Sequence, residues 1–186
     1  MSDTASPSPT PIALRLSGLS APRRAGTDGL EGVDLEVPEG GFVLVHGEAG
    51  AGKTLLLEMA GLALRPGAGR LQMFGLDPWG ASPQGRARLR RRLGLVFQDL
   101  RLIDDLTVAE NAALPMRIAG VRPEVLRRDV SELLTWIGLA GKAGALPVDL
   151  NHDERQRLAV ARAVAGRPEI ILADEPVGWM GPEAAA

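Results

Sequence analysis

Eight consecutive residues carry the strongest chemical signal in the chain: Gly47-Glu48-Ala49-Gly50-Ala51-Gly52-Lys53-Thr54. Their spacing is G-x-x-x-x-G-K-[ST], the pattern of a phosphate-binding P-loop. The glycines let backbone N–H groups turn inward around an anion that side chains would keep away. Lys53 would reach the β- and γ-phosphates, and the Thr54 hydroxyl would ligate Mg²⁺. A second signal lies far downstream, where Ile170-Ile171-Leu172-Ala173 runs into Asp174-Glu175. One carboxylate at such a strand end can hold Mg²⁺, usually through water, while the next polarises an attacking water. An acid pair alone often just closes a strand; downstream of a P-loop it becomes the second half of a nucleotide site. Gln98 ends the run Leu93-Gly94-Leu95-Val96-Phe97 between the two. Its amide is a candidate for the metal and the γ-phosphate, with an ordinary surface glutamine as the alternative.

These groups need a scaffold, and the surrounding residues supply its outline. Phe42-Val43-Leu44-Val45 is a short apolar, β-branched run that predicts a buried strand entering the P-loop. Leu55, Leu56, Met59 and Leu62 follow at helical spacing, so the loop sits between a strand and a helix whose positive end faces the anion. Upstream, Ile12, Leu14 and Leu16 alternate with polar or small residues, as do Val33, Leu35 and Val37. Two alternating strands beside an apolar one predict an antiparallel lobe on a parallel core. Leu71-Gln72-Met73-Phe74 predicts another strand and Leu93–Phe97 a core strand. Thr107 and Glu110 form a capping box that starts a helix running toward Met116. Leu126, Val130, Leu133, Leu134 and Ile137 place a helix over 124–138, ended by Gly138, with Trp136 at its core edge. A further helix spans 154–165, and Ile170–Ala173 is the last buried strand. Five arginines crowd residues 86–92, read as a solvated helix face, with an anion-binding surface as the alternative.

Composition bounds the rest. At 186 residues, 45% hydrophobic and 24% charged, the chain suits one folded domain behind a disordered Pro/Ser lead-in at 1–11. A net charge of −2 argues against a general nucleic-acid binder. The absence of cysteine excludes disulfides and thiolate metal sites. No apolar run approaches the ~20 residues of a membrane-spanning helix, and no signal peptide is visible. The expectation is a cytoplasmic protein that meets a membrane only through a partner.

The order of motifs resembles an ABC-transporter ATPase subunit: the P-loop, Phe97-Gln98-Asp99, a helical stretch, Gln156-Arg157-Leu158-Ala159-Val160-Ala161-Arg162-Ala163, then Leu172-Ala173-Asp174-Glu175-Pro176. Residues 96–102 and 110–115 are most similar to the cell-division branch of that family, FtsE. The resemblance covers about residues 12–183. It implies an α/β P-loop NTPase fold, with a parallel-sheet core, an N-terminal antiparallel β lobe and a helical insertion at about 99–150. It further implies ATP and Mg²⁺ as cofactors, bound through Gly47–Thr54 with Thr54, Asp174 and Gln98 at the metal. Glu175 and Gln98 become the catalytic candidates. Partners follow as well: a nucleotide-dependent dimer and an integral membrane permease resembling FtsX, on the inner face of the plasma membrane.

The resemblance breaks in four places. The family signature Leu-Ser-Gly-Gly-Glu reads Leu150-Asn151-His152-Asp153-Glu154. Asn151 still caps a helix with Glu154, but His152 adds bulk where a glycine backbone would face a partner's γ-phosphate. Asp153 adds a carboxylate at the same helix end. The loop after Glu175 carries Gly181 where an aspartate is expected. No aromatic residue stands near Pro22–Arg24 to stack on adenine, leaving Arg23 as a weaker platform. Twelve residues follow Asp174, fewer than a crossover and another parallel strand require. The strand with the family's switch histidine is therefore expected to be absent, leaving a gap beside the P-loop strand. Weak or lost hydrolysis follows; a working ATPase of another transporter and a non-enzymatic scaffold for a membrane protein are the alternatives.

Overall fold

Local sequence chemistry decides where most elements start and stop, and the two tight glycines below decide how closely they approach. The computed structural model describes residues 10–21 and 29–175. The lead-in up to residue 9, the expected adenine platform at 22–24 and the loop at 177–181 lie outside the described residues. The chain divides into two compact units, Met1–Arg86 and Ala87–Ala186.

In the first unit, β1 (Ile12–Ala21), β2 (Leu30–Pro38) and β3 (Ala68–Met73) form an antiparallel sheet in the order β2-β1-β3. Leu14 pairs with Val37 and with Met73, and Leu16 with Leu35 and with Leu71, so apolar side chains meet across both edges of β1. Leu14, Leu16, Leu19, Leu71 and Met73 are buried. Helix α1 (Lys53–Ala60) buries Leu55, Leu56, Met59 and Ala60, the stripe that its spacing predicts.

The run Phe42–Val45 departs from expectation. It belongs to no strand, and Phe42 and Leu44 are 89% and 75% exposed. Apolar, β-branched composition makes a segment fit for burial in a sheet, but burial also needs neighbours to pair with. Among the described residues no strand pairs with this one, so its backbone and side chains face outward.

The second unit opens on the arginine-rich helix α2 (Pro83–Arg90), which begins within the first unit. Strand β4 (Leu93–Val96) then pairs in parallel with β5 (Ile170–Ala173), Leu93 opposite Ile170 and Val96 opposite Ala173. Between them run α3 (Val108–Ile118), α4 (Pro123–Trp136), two 3₁₀ turns at 140–142 and 147–149, and α5 (His152–Ala165). Val108, Ala112, Met116, Val130, Leu134 and Leu158 belong to one buried cluster that joins α3, α4 and α5. The α4 stripe is as predicted, with Gly138 past its end at φ 71. Trp136 is instead 74% exposed, one position off the stripe and so turned about a quarter of the helix away from the core. Strand β5 is half-buried rather than buried, Ile171 being 54% exposed, because only β4 flanks it among the described residues. Helix α5 crosses β4 at Gly94, where a Cβ would lie 2.5 Å from the Ala163 carbonyl oxygen. Only glycine allows that spacing. Arg92 of the arginine run pairs with Glu169, and the Arg86 guanidinium lies 4.9 Å from the Trp79 ring centre.

Candidate functional site

In the first unit the P-loop leads into α1 as predicted, but among the described residues no strand directly precedes it. Gly50 and Gly52 both take positive φ, 84° and 87°. Gly52 is the N-cap of α1 and lies so close to the neighbouring backbone that a Cβ would sit 2.7 Å from the Gly29 carbonyl oxygen. The loop is therefore fixed in a conformation that a substituted residue resists. Lys53 arches back over it, and its Nζ donates to the carbonyl oxygens of Gly47 and Glu48, each at 2.8 Å. The first turn of α1 carries no acidic residue. Its leading N–H groups have no intrahelical acceptors, and they point past the helix start together with the helix dipole. A compact loop with an ammonium, bare amides and no carboxylate in the helix's first turn suits a polyphosphate. Thr54, exposed at the second helical position, is placed to add a hydroxyl ligand.

In the second unit parallel pairing brings two of the predicted residues together. The Asp174 N–H donates to the Val96 carbonyl oxygen at 2.9 Å, extending the β4–β5 ladder past its last named pair. One step further, the Gln98 side-chain amide donates to a Glu175 carboxylate oxygen at 3.1 Å. Glu175 takes φ 48, a left-handed conformation uncommon outside glycine, right where this contact forms. Gln98 and Glu175 are exposed and Asp174 is half-buried. No cluster of three or more His, Cys, Asp or Glu among the described residues could hold a metal ion unaided.

The altered signature keeps its capping function. Asn151 Oδ1 accepts from the Glu154 N–H, and Glu154 accepts from the Asn151 N–H, both at 2.9 Å. The Lys142 ammonium reaches the two Glu154 oxygens at 2.7 and 2.8 Å. Lys142 first, then the Asn151 N–H, hold the Glu154 carboxyl below the usual glutamate range. Asp153 and Glu154 thus place two carboxylates in the first turn of α5, the reverse of the arrangement at α1. An anion approaching α5 meets the exposed side chains of His152 and Asp153 rather than bare backbone.

Two polar groups, one in the insertion and one in α5, were not singled out by sequence. Asn111 is fully buried: its Oδ1 accepts from the Ile103 N–H at 2.9 Å, and its Nδ2 donates to the carbonyls of Ile103, Leu106 and Thr107. It fastens the loop that follows Gln98 to α3. An amide between Val108 and Ala112 on the apolar face of the helix was the available signal. The other group, Arg162, was visible only as part of a matching helix.

The ABC transporter family pattern matches residues 30–178. The chain is 40% identical over 174 residues to the lipoprotein-releasing system ATP-binding protein LolD of Ruegeria pomeroyi, covering 91% of this chain and 76% of that protein. It is 38% identical over 165 residues to the cell division ATP-binding protein FtsE of Escherichia coli, covering 89% and 74%. It is 39% identical to the methionine import ATP-binding protein MetN of Myxococcus xanthus, covering 83% of this chain but 47% of that one. Identities this close leave the FtsE likeness one among several. Among solved structures, the dimeric ATP-binding cassette MJ0796 bound to ADP and Pi in a post-hydrolysis state superposes with a TM-score of 0.83 at 30% identity, covering 91% of this chain and 77% of that one.

Proposed function

The chain belongs to the ABC transporter family as an ATP-binding domain, and from that premise we propose that it binds ATP with Mg²⁺ and hydrolyses it weakly. The single observation that carries the reading is the contrast between two helix starts. At α1 the first turn has no acid, and Lys53 and Gly52 frame a phosphate cradle. At α5 the signature glycines are replaced by His152 and Asp153, with Glu154 beside them. Lys53 would take the β- and γ-phosphates, and Thr54, Asp174 and Gln98 are the residues that would hold the metal. Glu175 orients the attacking water, and Gln98 steadies Glu175 through its 3.1 Å contact. Bound Mg²⁺ supplies charge neutralisation on the phosphate oxygens. Dimers of the kind named for MJ0796 form weakly in this reading, since each protomer would offer the other a carboxylate where the γ-phosphate needs donors.

No helix of the described residues is long and apolar enough to cross a membrane. The proposed partner is an integral membrane permease whose cytosolic helix or loop docks on the insertion. Between α3 and α4 lies a groove of about 270 Å³ with Ala113, Val130 and Leu134 at its floor and Glu110, Arg117 and Arg127 around it. An amphipathic segment with an acidic flank suits that lining. In this reading the protein works on the inner face of the plasma membrane. The finer assignment, an FtsE-type subunit with an FtsX-like permease in cell division, is supported by residues 96–102 and 110–115. The likeness to LolD supports lipoprotein release equally well, and co-purification with each candidate permease separates them.

ATP binding and turnover measured on one preparation test the function. Saturable ATP·Mg²⁺ binding that is lost in Lys53→Ala, with turnover at least about 10²-fold below an ABC ATPase with an intact signature, is the expected result. Robust turnover by the unaltered chain, abolished by Glu175→Gln, refutes the weak-hydrolysis half; wild-type binding by Lys53→Ala refutes the whole.

A further inference from the structure

We infer that Arg162 is a positioning residue: its guanidinium pins a strained turn directly after Gln98 and so holds the Gln98 amide on Glu175. Arg162 lies in the third turn of α5, far along the chain from Gln98. Its Nη1 donates to the Arg101 carbonyl oxygen and its Nη2 to the Leu100 carbonyl oxygen, both at 2.6 Å. This is a two-pronged grip on consecutive peptide groups, a geometry that the planar guanidinium provides and an ammonium does not. Both gripped residues are non-glycine residues in the left-handed region, Leu100 at φ 58 and Arg101 at φ 44. One such residue is uncommon and two in succession need external support. Burial lowers the Arg162 pKa; a guanidinium is a cation in proteins, so both hydrogen bonds are charge-assisted.

The turn itself supplies part of that support. The Leu100 N–H donates to the Phe97 carbonyl and the Arg101 N–H to the Asp99 carbonyl, at 2.9 and 2.7 Å. The Arg101 guanidinium lies 3.9 Å from the Phe97 ring centre and bonds Asp99 at 3.1 Å. These contacts are exposed and local to the turn. Arg162 ties it to a long helix, α5, whose other end is the Asn151–Glu154 cap. A shift of α5 along its axis therefore moves the two carbonyls, and with them the backbone that aims Gln98. Gln98's part in the chemistry rests on the ATP-binding reading above; the grip itself is measurable without nucleotide, so either can fail alone.

The test is amide hydrogen exchange and side-chain NMR on the full chain. In Arg162→Ala, exchange at the Leu100 and Arg101 amides is expected to rise about tenfold or more, while Ala112, Ala113 and Leu158 stay within about twofold. The Gln98 side-chain amide resonances are expected to move to the positions of free glutamine. Adding Leu100→Gly to Arg162→Ala should restore most of the protection, because glycine holds a left-handed turn unaided. Unchanged exchange, a uniform rise through α3 and α5, failure of the glycine rescue, or an unmoved Gln98 signal would each overturn the inference. If Arg162→Ala does not fold, Arg162→Lys decides: a rise of about threefold at the same two amides supports the grip, and none refutes it.

Discussion

Gly52→Ala tests whether the phosphate cradle depends on backbone geometry as much as on Lys53. Position 52 has φ 87, where a Cβ costs about 1–2 kcal/mol. The new methyl would also lie 2.7 Å from both the Gly29 carbonyl oxygen and Leu30 Cδ1. Leu30 can turn aside, but the carbonyl is backbone beside β2, and relieving such overpacking typically costs about 1–3 kcal/mol more. The sum, roughly 2–5 kcal/mol, is a large part of the 5–15 kcal/mol that holds an ordinary domain together. Urea denaturation should show a lower midpoint, and titration with a fluorescent ATP analogue should show no saturable binding. Lys53→Ala is the matched control. Among the described residues its ammonium bonds carbonyls of the exposed loop, so that variant should lose binding while its midpoint moves little. A Gly52→Ala protein with both wild-type midpoint and wild-type affinity refutes the claim that this glycine sets the loop.

Restoring the signature with Asn151→Ser, His152→Gly and Asp153→Gly together should raise ATP-dependent dimerisation, read by light scattering, with only partial recovery of turnover. Asn111→Leu should destabilise the protein by about 2–4 kcal/mol in chemical denaturation, since it leaves the Ile103 N–H and buried carbonyls without their partner. Acid titration should reveal Glu110, Glu154 and Glu169, all held below the usual range, by Thr107, by Lys142 and Asn151, and by Arg92 respectively. Because folding depresses these carboxyls, their stabilisation is fully present above the ordinary glutamate value of about 4.3 and is lost as pH falls through the folded values. Glu154→Gln should flatten that acid limb in thermal melts and leave the neutral range little changed in slope.

Where sequence chemistry acts locally, it was legible. The capping boxes at Thr107 and Asn151 need only residues three positions apart, and both form. The P-loop glycines demand positive φ whatever surrounds them, and Gly50 and Gly52 take it. Phe42–Val45 and Ile171 failed as predictions of burial because burial belongs to the neighbours a segment finds, which composition does not record. Trp136 failed by a single step of helix rotation. The contact between Gln98 and Glu175 could be suspected from motif order, but the register that creates it comes from β4 meeting β5. The Arg162 grip had no signature, since its acceptors are carbonyls that every residue carries. Family membership was readable from motif order; the choice among LolD-, FtsE- and MetN-like subunits was not, because the motifs are what those proteins share.

The Gln98–Glu175 contact joins residues 77 positions apart, and that separation orders the events of folding. A parallel pair can form only after the intervening chain has closed on itself, and such non-local pairing is slow compared with helix formation. The α3–α4–α5 cluster is built from shorter-range contacts and includes Leu158, which precedes β5 in the chain. It can therefore assemble before β5 pairs with β4. The Gln98–Glu175 pair is then among the last contacts to be set. Substitutions in the helical cluster should slow refolding, whereas those in β5 should chiefly hasten unfolding.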